Sequence, residues 1–404
     1  MAVPPGADPQ DFAAAAAGAS LTLLRLRLAA FRSYRELVWS PGGRIAVIAG
    51  PNGSGKTNLL EAISLLAPGR GLRGARVSEF AHRAAPGAPS GSWAVAGRFA
   101  TPRGPVDIGT GSPPDGPPDR RIFRLDGAAP RAQAEIAERI AMVWLTPRMD
   151  QLFQDGAATR RRFLDRLVWA LEPGHAREVA AHDAAMSGRN RLLAAMRPDP
   201  AWLAALEDGM ARHGIAATAA RASLVARLDA ALAGAVVPGF PAARVRLDGA
   251  VAARLATEPA LAAEEWLRAG LAANRARDAA AGVATLSAHR CDLGLEDTAS
   301  GHPATLASTG EQKAMLVGLI LAHAGLIAAA RGFAPILLLD EPAVHLDPSR
   351  RAALFAALAA LPAQVLLTGA DAEAFRPLSG LAAFWRADGR TLAPDPGFGE
   401  AAGP

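Results

Sequence analysis

Gly50-Pro51-Asn52-Gly53-Ser54-Gly55-Lys56-Thr57 meets the phosphate-loop pattern G-x-x-x-x-G-K-[ST] at every fixed position. Its glycines let backbone N–H groups turn inward around a polyphosphate, and the helix that follows adds the positive end of its dipole. Lys56 sets a point charge against the β and γ phosphates of a triphosphate such as ATP, and Thr57 offers a hydroxyl to Mg²⁺. Only two of the 43 Lys and Arg residues are lysines, Lys56 and Lys313. Arginine has replaced lysine almost everywhere, so Lys56 marks a place where a longer, planar guanidinium fits poorly.

Asp340-Glu341 ends a run of apolar residues, Ile336 to Leu339. That setting suits Asp340 to hold Mg²⁺, directly or through water, and Glu341 to polarise an attacking water as the catalytic base. The alternative, a pair of solvated acids at a strand end, is disfavoured by the phosphate loop elsewhere in the chain. Asp347 follows in a loop able to sense the site across a subunit boundary. Ser308-Thr309-Gly310-Glu311-Gln312 reads by itself as a helix cap, a serine with an acid three residues on. Gly310 also precedes Asp340 by 30 residues, the spacing of the signature motif in ABC-type ATPases. Resemblance to those ATPases implies that Ser308 and Gly310 bind the γ-phosphate of ATP held by a second subunit.

The elements needed to position these groups are visible in the pattern. Leu24, Leu26 and Leu28 alternate with Arg25 and Arg27, as in a strand with one buried face. Residues 44–49 form a strand feeding the glycine loop, and residues 58–63 a helix leaving it. The segments 93–99, 122–125, 334–340, 364–368 and a hairpin turning at Asp388-Gly389 read as further strands. Wholly apolar strands are buried on both faces, which predicts a parallel central sheet covered by helices. Residues 101–120, rich in Pro, Gly and Asp, read as a surface loop. From 157 to 283 leucine, alanine and arginine recur at helical spacing, giving a helical lobe inserted into the α/β domain. The expected organisation is a tail over 1–20, an ATPase half over 21–156, the lobe over 157–283, a second half over 284–395, and a tail over 396–404.

With 404 residues the chain is long enough for one large domain or two lobes. A net charge of +5 and a pI near 10.4 are compatible with a nucleic-acid partner without requiring one. The single Cys291 excludes an internal disulfide and a Cys-x-x-Cys metal site. No secretory signal opens the sequence, and the apolar run 314–330 is read as a buried helix. A cytoplasmic protein is expected. Arg160-Arg161-Arg162 heads a helix in the lobe, either as a DNA contact or as a solvated basic face. Aromatic residues are only 5% of the chain, too few for an extended base-stacking platform, so DNA binding through the backbone of a duplex or gap junction fits better.

The sequence resembles the RecF family of bacterial DNA replication and repair proteins, ABC-type ATPases akin to the heads of SMC proteins without their long arms. The resemblance runs through Leu26-Arg27-Leu28, Phe31-Arg32-Ser33-Tyr34, Gly50 to Ile63, Leu145-Thr146-Pro147, Arg161-Arg162-Phe163-Leu164-Asp165, His289 to Leu293 and Ser308 to Lys313. It implies an α/β P-loop ATPase domain, an ATP-dependent homodimer on DNA, slow hydrolysis, RecR and RecO as mediator partners, and a role in gap repair and the SOS response. It also implies that Arg32 reaches the nucleotide, against the alternative of an exposed strand-end arginine. No histidine follows the strand 365–367, and Thr368 stands in that neighbourhood. The energising subunit of a membrane transporter and an SMC-like nuclease accessory are the competing readings. The long insert disfavours the first, and the absent Cys-x-x-Cys hook and arms disfavour the second.

Overall fold

The computed structural model describes residues 21–82, 91–113, 116–117, 119–234, 239–395 and 397–398. The expected tail over 1–20 and nearly all of that over 396–404 lie outside them. Thirteen strands occur among the described residues. The first six are β1 (Thr22–Phe31), β2 (Tyr34–Trp39), β3 (Ile45–Ala49), β4 (Ala94–Ala100), β5 (Val106–Gly111) and β6 (Ile122–Leu125). Then come β7 (Met142–Leu145), β8 (Ala243–Asp248) and β9 (Asp292–Asp297). The last are β10 (Ile336–Leu339), β11 (Val365–Gly369), β12 (Ala382–Ala387) and β13 (Leu392–Pro394).

The chain divides into two compact units. One is built from Met1–Asp150, Ala235–Phe240 and Leu316–Pro404, the other from Gln151–Gly234 and Pro241–Met315. Two sheets make up the first unit. A six-stranded sheet has the order β13-β12-β3-β11-β10-β7, parallel apart from the β12-β13 hairpin. Every residue of β3, β7, β10 and β11 is buried, as expected for strands covered on both faces. An antiparallel sheet, β2-β1-β4-β5-β6, buries one face only. Arg121 ties this sheet to the end of the helix Lys56–Ser64 by donating to the carbonyls of Leu65, Ala67 and Gly69. The apolar helix Thr309–Arg331 has the length and composition to cross a membrane, yet 72% of its most apolar stretch is buried within the protein.

Two strands run against the sequence reading. The Pro- and Gly-rich segment 101–120 carries β5, hydrogen-bonded on both sides to β4 and β6. Within the stretch read as helical, β8 pairs antiparallel with β9.

In the second unit, helices His175–Leu193, Pro200–Gly234 and Ala260–Ala273 pack with a core that includes Met210, Ile215, Val251, Leu267, Leu271 and Cys291. Burial raises the Cys291 thiol pKa above its ordinary value and keeps it protonated. Charges are buried here in a closed network. Arg189, wholly enclosed, donates to Glu207 at 2.9 Å, Asp278 at 2.8 Å and the Leu271 carbonyl at 2.7 Å. Arg275 adds two bonds to Glu207, at 2.9 and 2.6 Å. Because Glu207 keeps its second partner when Arg275 is removed, Arg275→Met is expected to cost only about 1–2 kcal/mol. A urea unfolding curve with an unchanged slope and a lower midpoint is the expected result; an unchanged midpoint refutes it.

Candidate nucleotide-binding site

Parallel register brings the functional groups together. β11 lies between β3 and β10, with Gly369 beside Ala49 and Leu367 beside Leu339. The phosphate loop leaving β3, the acids leaving β10 and Thr368 on β11 therefore meet at one carboxyl edge of the sheet, where open α/β sheets hold ligands. Thr57 Oγ1 donates to Asp340 Oδ1 at 3.0 Å. Thr368 Oγ1 donates to the same oxygen at 2.7 Å and accepts the Glu341 N–H at 3.1 Å. Asp340 is buried, and Glu341 adopts a φ of 51°. One threonine thus fixes both acids.

The glycine loop is shaped by close approach. A side chain at Gly50 would come within 2.4 Å of the Ala387 carbonyl. Gly55 has φ +87°, and a Cβ there would lie 2.8 Å from Ser33 Oγ and 2.9 Å from Tyr34 Oη. Tyr34, buried, donates to the Gly55 carbonyl at 3.2 Å and braces the loop from below. Pro51, Asn52 and Gly53 are exposed, whereas Ser54, Gly55 and Lys56 are buried. Lys56 Nζ donates to the carbonyls of Gly50 at 2.6 Å and Pro51 at 2.9 Å, folding across its own loop. Burial lowers its pKa, while Glu341 and Asp340 pull it the other way. The first-turn amides of Lys56–Ser64 have no intrahelical acceptors, so amides and ammonium together suit a polyphosphate. Ser54 Oγ, buried without a hydrogen bond among the described residues, adds a polar atom to this cradle. Thr57 and Asp340 supply hard oxygen donors of the kind Mg²⁺ takes alongside phosphate and water. No group of three or more His, Cys, Asp or Glu among the described residues could hold a metal without such help.

Arg32 sits beside this loop with φ +50°. It forms a two-pronged ion pair with Glu61, at 2.9 and 3.0 Å, and lies over the Phe80 ring. With Ser33, Asn58, Glu79 and Ala81 it lines a cavity of about 490 Å³. Glu61 was not anticipated from the sequence. It is 1% exposed and also takes Arg73 at 3.2 Å. Its signal was an acid one turn after Thr57 on a helix otherwise buried. At Gly369, next to Thr368, any side chain would require Phe375 to shift, since a Cβ there would lie 2.3 Å from its ring.

The other predicted residues have partners of their own. Asp347 caps the helix Pro348–Ala360, accepting the Arg350 N–H at 2.9 Å. In the second unit, Ser308 and Glu311 form a reciprocal cap: the Ser308 N–H donates to Glu311 Oε2 at 2.9 Å, and the Ser308 hydroxyl reaches the same oxygen at 2.7 Å. Ser308 and Thr309 are exposed, Gly310 is half-buried, and Gln312 is buried with Nε2 on the Ala307 carbonyl at 2.8 Å. Lys313 is 1% exposed. In the Arg160–Arg162 row, read as a DNA contact or a solvated basic face, Arg160 is held within the second unit. Its guanidinium grips Asp292 through two bonds, at 2.8 and 2.6 Å. Arg161 is half-buried on the Cys291 carbonyl, and only Arg162 is exposed.

Comparison with known proteins gives the family and the fold. The model of the RecF/RecN/SMC N terminal domain family matches residues 22–388. The DNA replication and repair protein RecF of Mesorhizobium japonicum is 46% identical over 372 residues, covering 92% of this chain and 97% of its own. That of Rhizobium meliloti is 45% identical over 357 residues, with 88% and 94% covered. Among solved structures, the recombination mediator protein RecF-ATP of the RecFOR pathway superposes with a TM-score of 0.78 at 19% identity, over 93% of this chain and 100% of its own. An Smc head domain with an extended coiled coil from Pyrococcus furiosus gives 0.51 at 16% identity, over 93% and 96%. At such identities the structures speak for the fold, and the family match and the close relatives settle the rest: the chain belongs to the RecF group of the RecF/RecN/SMC family.

Proposed function

We propose that the chain is an ATP-dependent DNA-binding protein that closes as a dimer around two ATP molecules and hydrolyses them slowly. One observation carries the reading: the hydroxyls of Thr57 and Thr368 converge on a single carboxylate oxygen of Asp340 beside a complete phosphate loop. The loop amides and Lys56 hold the triphosphate, and Arg32 with its Glu61 brace lines the space next to it. Thr57 and Asp340 would hold Mg²⁺, which supplies charge neutralisation at the phosphates. Glu341 orients the attacking water and accepts its proton. Thr368 steadies Asp340 and the Glu341 backbone, and a neutral hydroxyl in place of an imidazole favours slow turnover. Membership of the RecF group supports gap repair, replication restart and SOS induction as the setting, with RecR and RecO as mediators. It also weighs against the transporter and nuclease readings.

Ser308 is exposed and its cap is local, which suits a residue that completes a neighbour's site. Ser308→Arg is expected to cost about 1 kcal/mol as a lost cap and to leave ATP binding by the monomer intact. Sedimentation velocity at micromolar protein with a nonhydrolysable ATP analogue should give a dimer for the parent chain and a monomer for the variant. A parent that stays monomeric with the analogue, or a variant that pairs like it, overturns the reading.

A further inference from the structure

The antiparallel sheet leaves one face open, and that face carries arginines with nothing to bind. Alternation along β1 and β4 buries Leu26, Leu28, Val95 and Phe99 and turns Arg25, Arg27 and Arg98 outward; Arg124 on β6 joins them. None of the four side chains makes a hydrogen bond or ion pair among the described residues. Arg25 stands directly opposite Arg98, a like-charge cross-strand pair that destabilises a sheet unless an anion lies over it. The row of Arg27 continues through Ala96 and Gly109 to Arg124. Three strand intervals separate its ends, about 14 Å. The floor between them is nearly flat because its residues are so small. Two acids share the face, Asp107 opposite Arg98 and Glu36 opposite Ala29, and neither forms an ion pair there among the described residues.

We propose that this open face holds the sugar-phosphate backbone of duplex DNA. Unpaired guanidiniums at both ends of a flat floor match two phosphate walls flanking a groove about 12 Å wide, and guanidinium is the side chain best suited to phosphate oxygens. The face has no aromatic side chain on which single-stranded bases could stack, which favours a duplex. It belongs to the first unit, whereas the row at Arg160 belongs to the second, and it rests on the DNA-binding reading above.

The test uses the full chain with ATP and a fluorescently labelled duplex, titrated with salt. R25Q/R27Q/R98Q/R124Q should flatten the slope of log K against log salt by about 3 to 4, roughly 0.9 for each phosphate no longer neutralised. Nucleotide affinity should stay unchanged, and the melting temperature should hold or rise as the Arg25–Arg98 repulsion goes. The lysine version of the same quadruple change should keep the slope, and R25Q/R98Q, the milder variant, should flatten it about half as much. A control, R177Q/R191Q/R197Q/R212Q, removes the same charge from exposed arginines of the second unit. Equal flattening by the control would reduce the effect to net charge and overturn the proposal. A parent that binds with an unchanged slope in the variant would overturn the face alone. A parent that binds no duplex would sink the DNA reading and the face with it. Retained DNA binding together with lost retention on polyglutamate would hand the face to an acidic protein and also overturn it.

Discussion

Glu341→Gln is expected to lower ATP turnover by about 10²–10⁴-fold, the range contributed by a positioned general base, while leaving ATP affinity close to that of the parent. Glutamine keeps the size of the side chain and loses its ability to accept a proton. The backbone contact at this position does not involve the side chain: the Glu341 N–H donates to Thr368 Oγ1, and the φ of 51° belongs to the loop. The substitution therefore keeps the backbone of the loop while removing the carboxylate, whose charge also acts on Lys56. Phosphate release under saturating ATP reads the loss, and binding of a fluorescent ATP analogue reads the retained site. Because pairing precedes hydrolysis in the proposed cycle, the variant should accumulate as an ATP-bound dimer. Turnover within a factor of two of the parent would remove Glu341 from the reaction.

What the sequence disclosed and what it hid follow one physical division. The phosphate loop was legible because its eight residues are contiguous and each type answers a local requirement, a tight turn or a charge. Asp340 was legible because an acid ending a doubly buried strand has few structural reasons to be there. Contacts between distant positions were not legible. Thr368 bridges Asp340 and Glu341 only because β11 runs between β3 and β10, and Arg160 meets Asp292 across 132 positions. Arg160 thus reads as part of a basic face in sequence and as a bracing ion pair in the fold. Strand β5 was hidden by its Gly- and Pro-rich surroundings; pairing on both edges overrides a weak local preference. Strand β8 shows Val245 and Leu247 alternating with Arg244 and Arg246, a period of two obscured by the helical texture on either side.

The phosphate loop itself is tested by shortening its lysine. Lys56→Ala should weaken ATP binding about 10²–10⁴-fold, because two bonds from a charged donor are worth roughly 1.5–3 kcal/mol each and each 1.4 kcal/mol is tenfold. Those bonds go to the Gly50 and Pro51 carbonyls here, so the ammonium already sits over the loop that would hold the phosphates. Removing it also removes a buried charge whose pKa burial depresses, and the monomer should keep its melting temperature or gain slightly. Lys56→Arg asks a sharper question. The ammonium meets the Gly50 and Pro51 carbonyls as a compact point charge, a contact that a longer, planar guanidinium reproduces poorly, so arginine should fail to restore binding despite its charge. In a chain that uses arginine almost everywhere else, that failure would give the physical reason for the exception. Isothermal titration with ATP checks both variants. Near-parental affinity in Lys56→Ala would mean that the ammonium holds the loop and not the nucleotide.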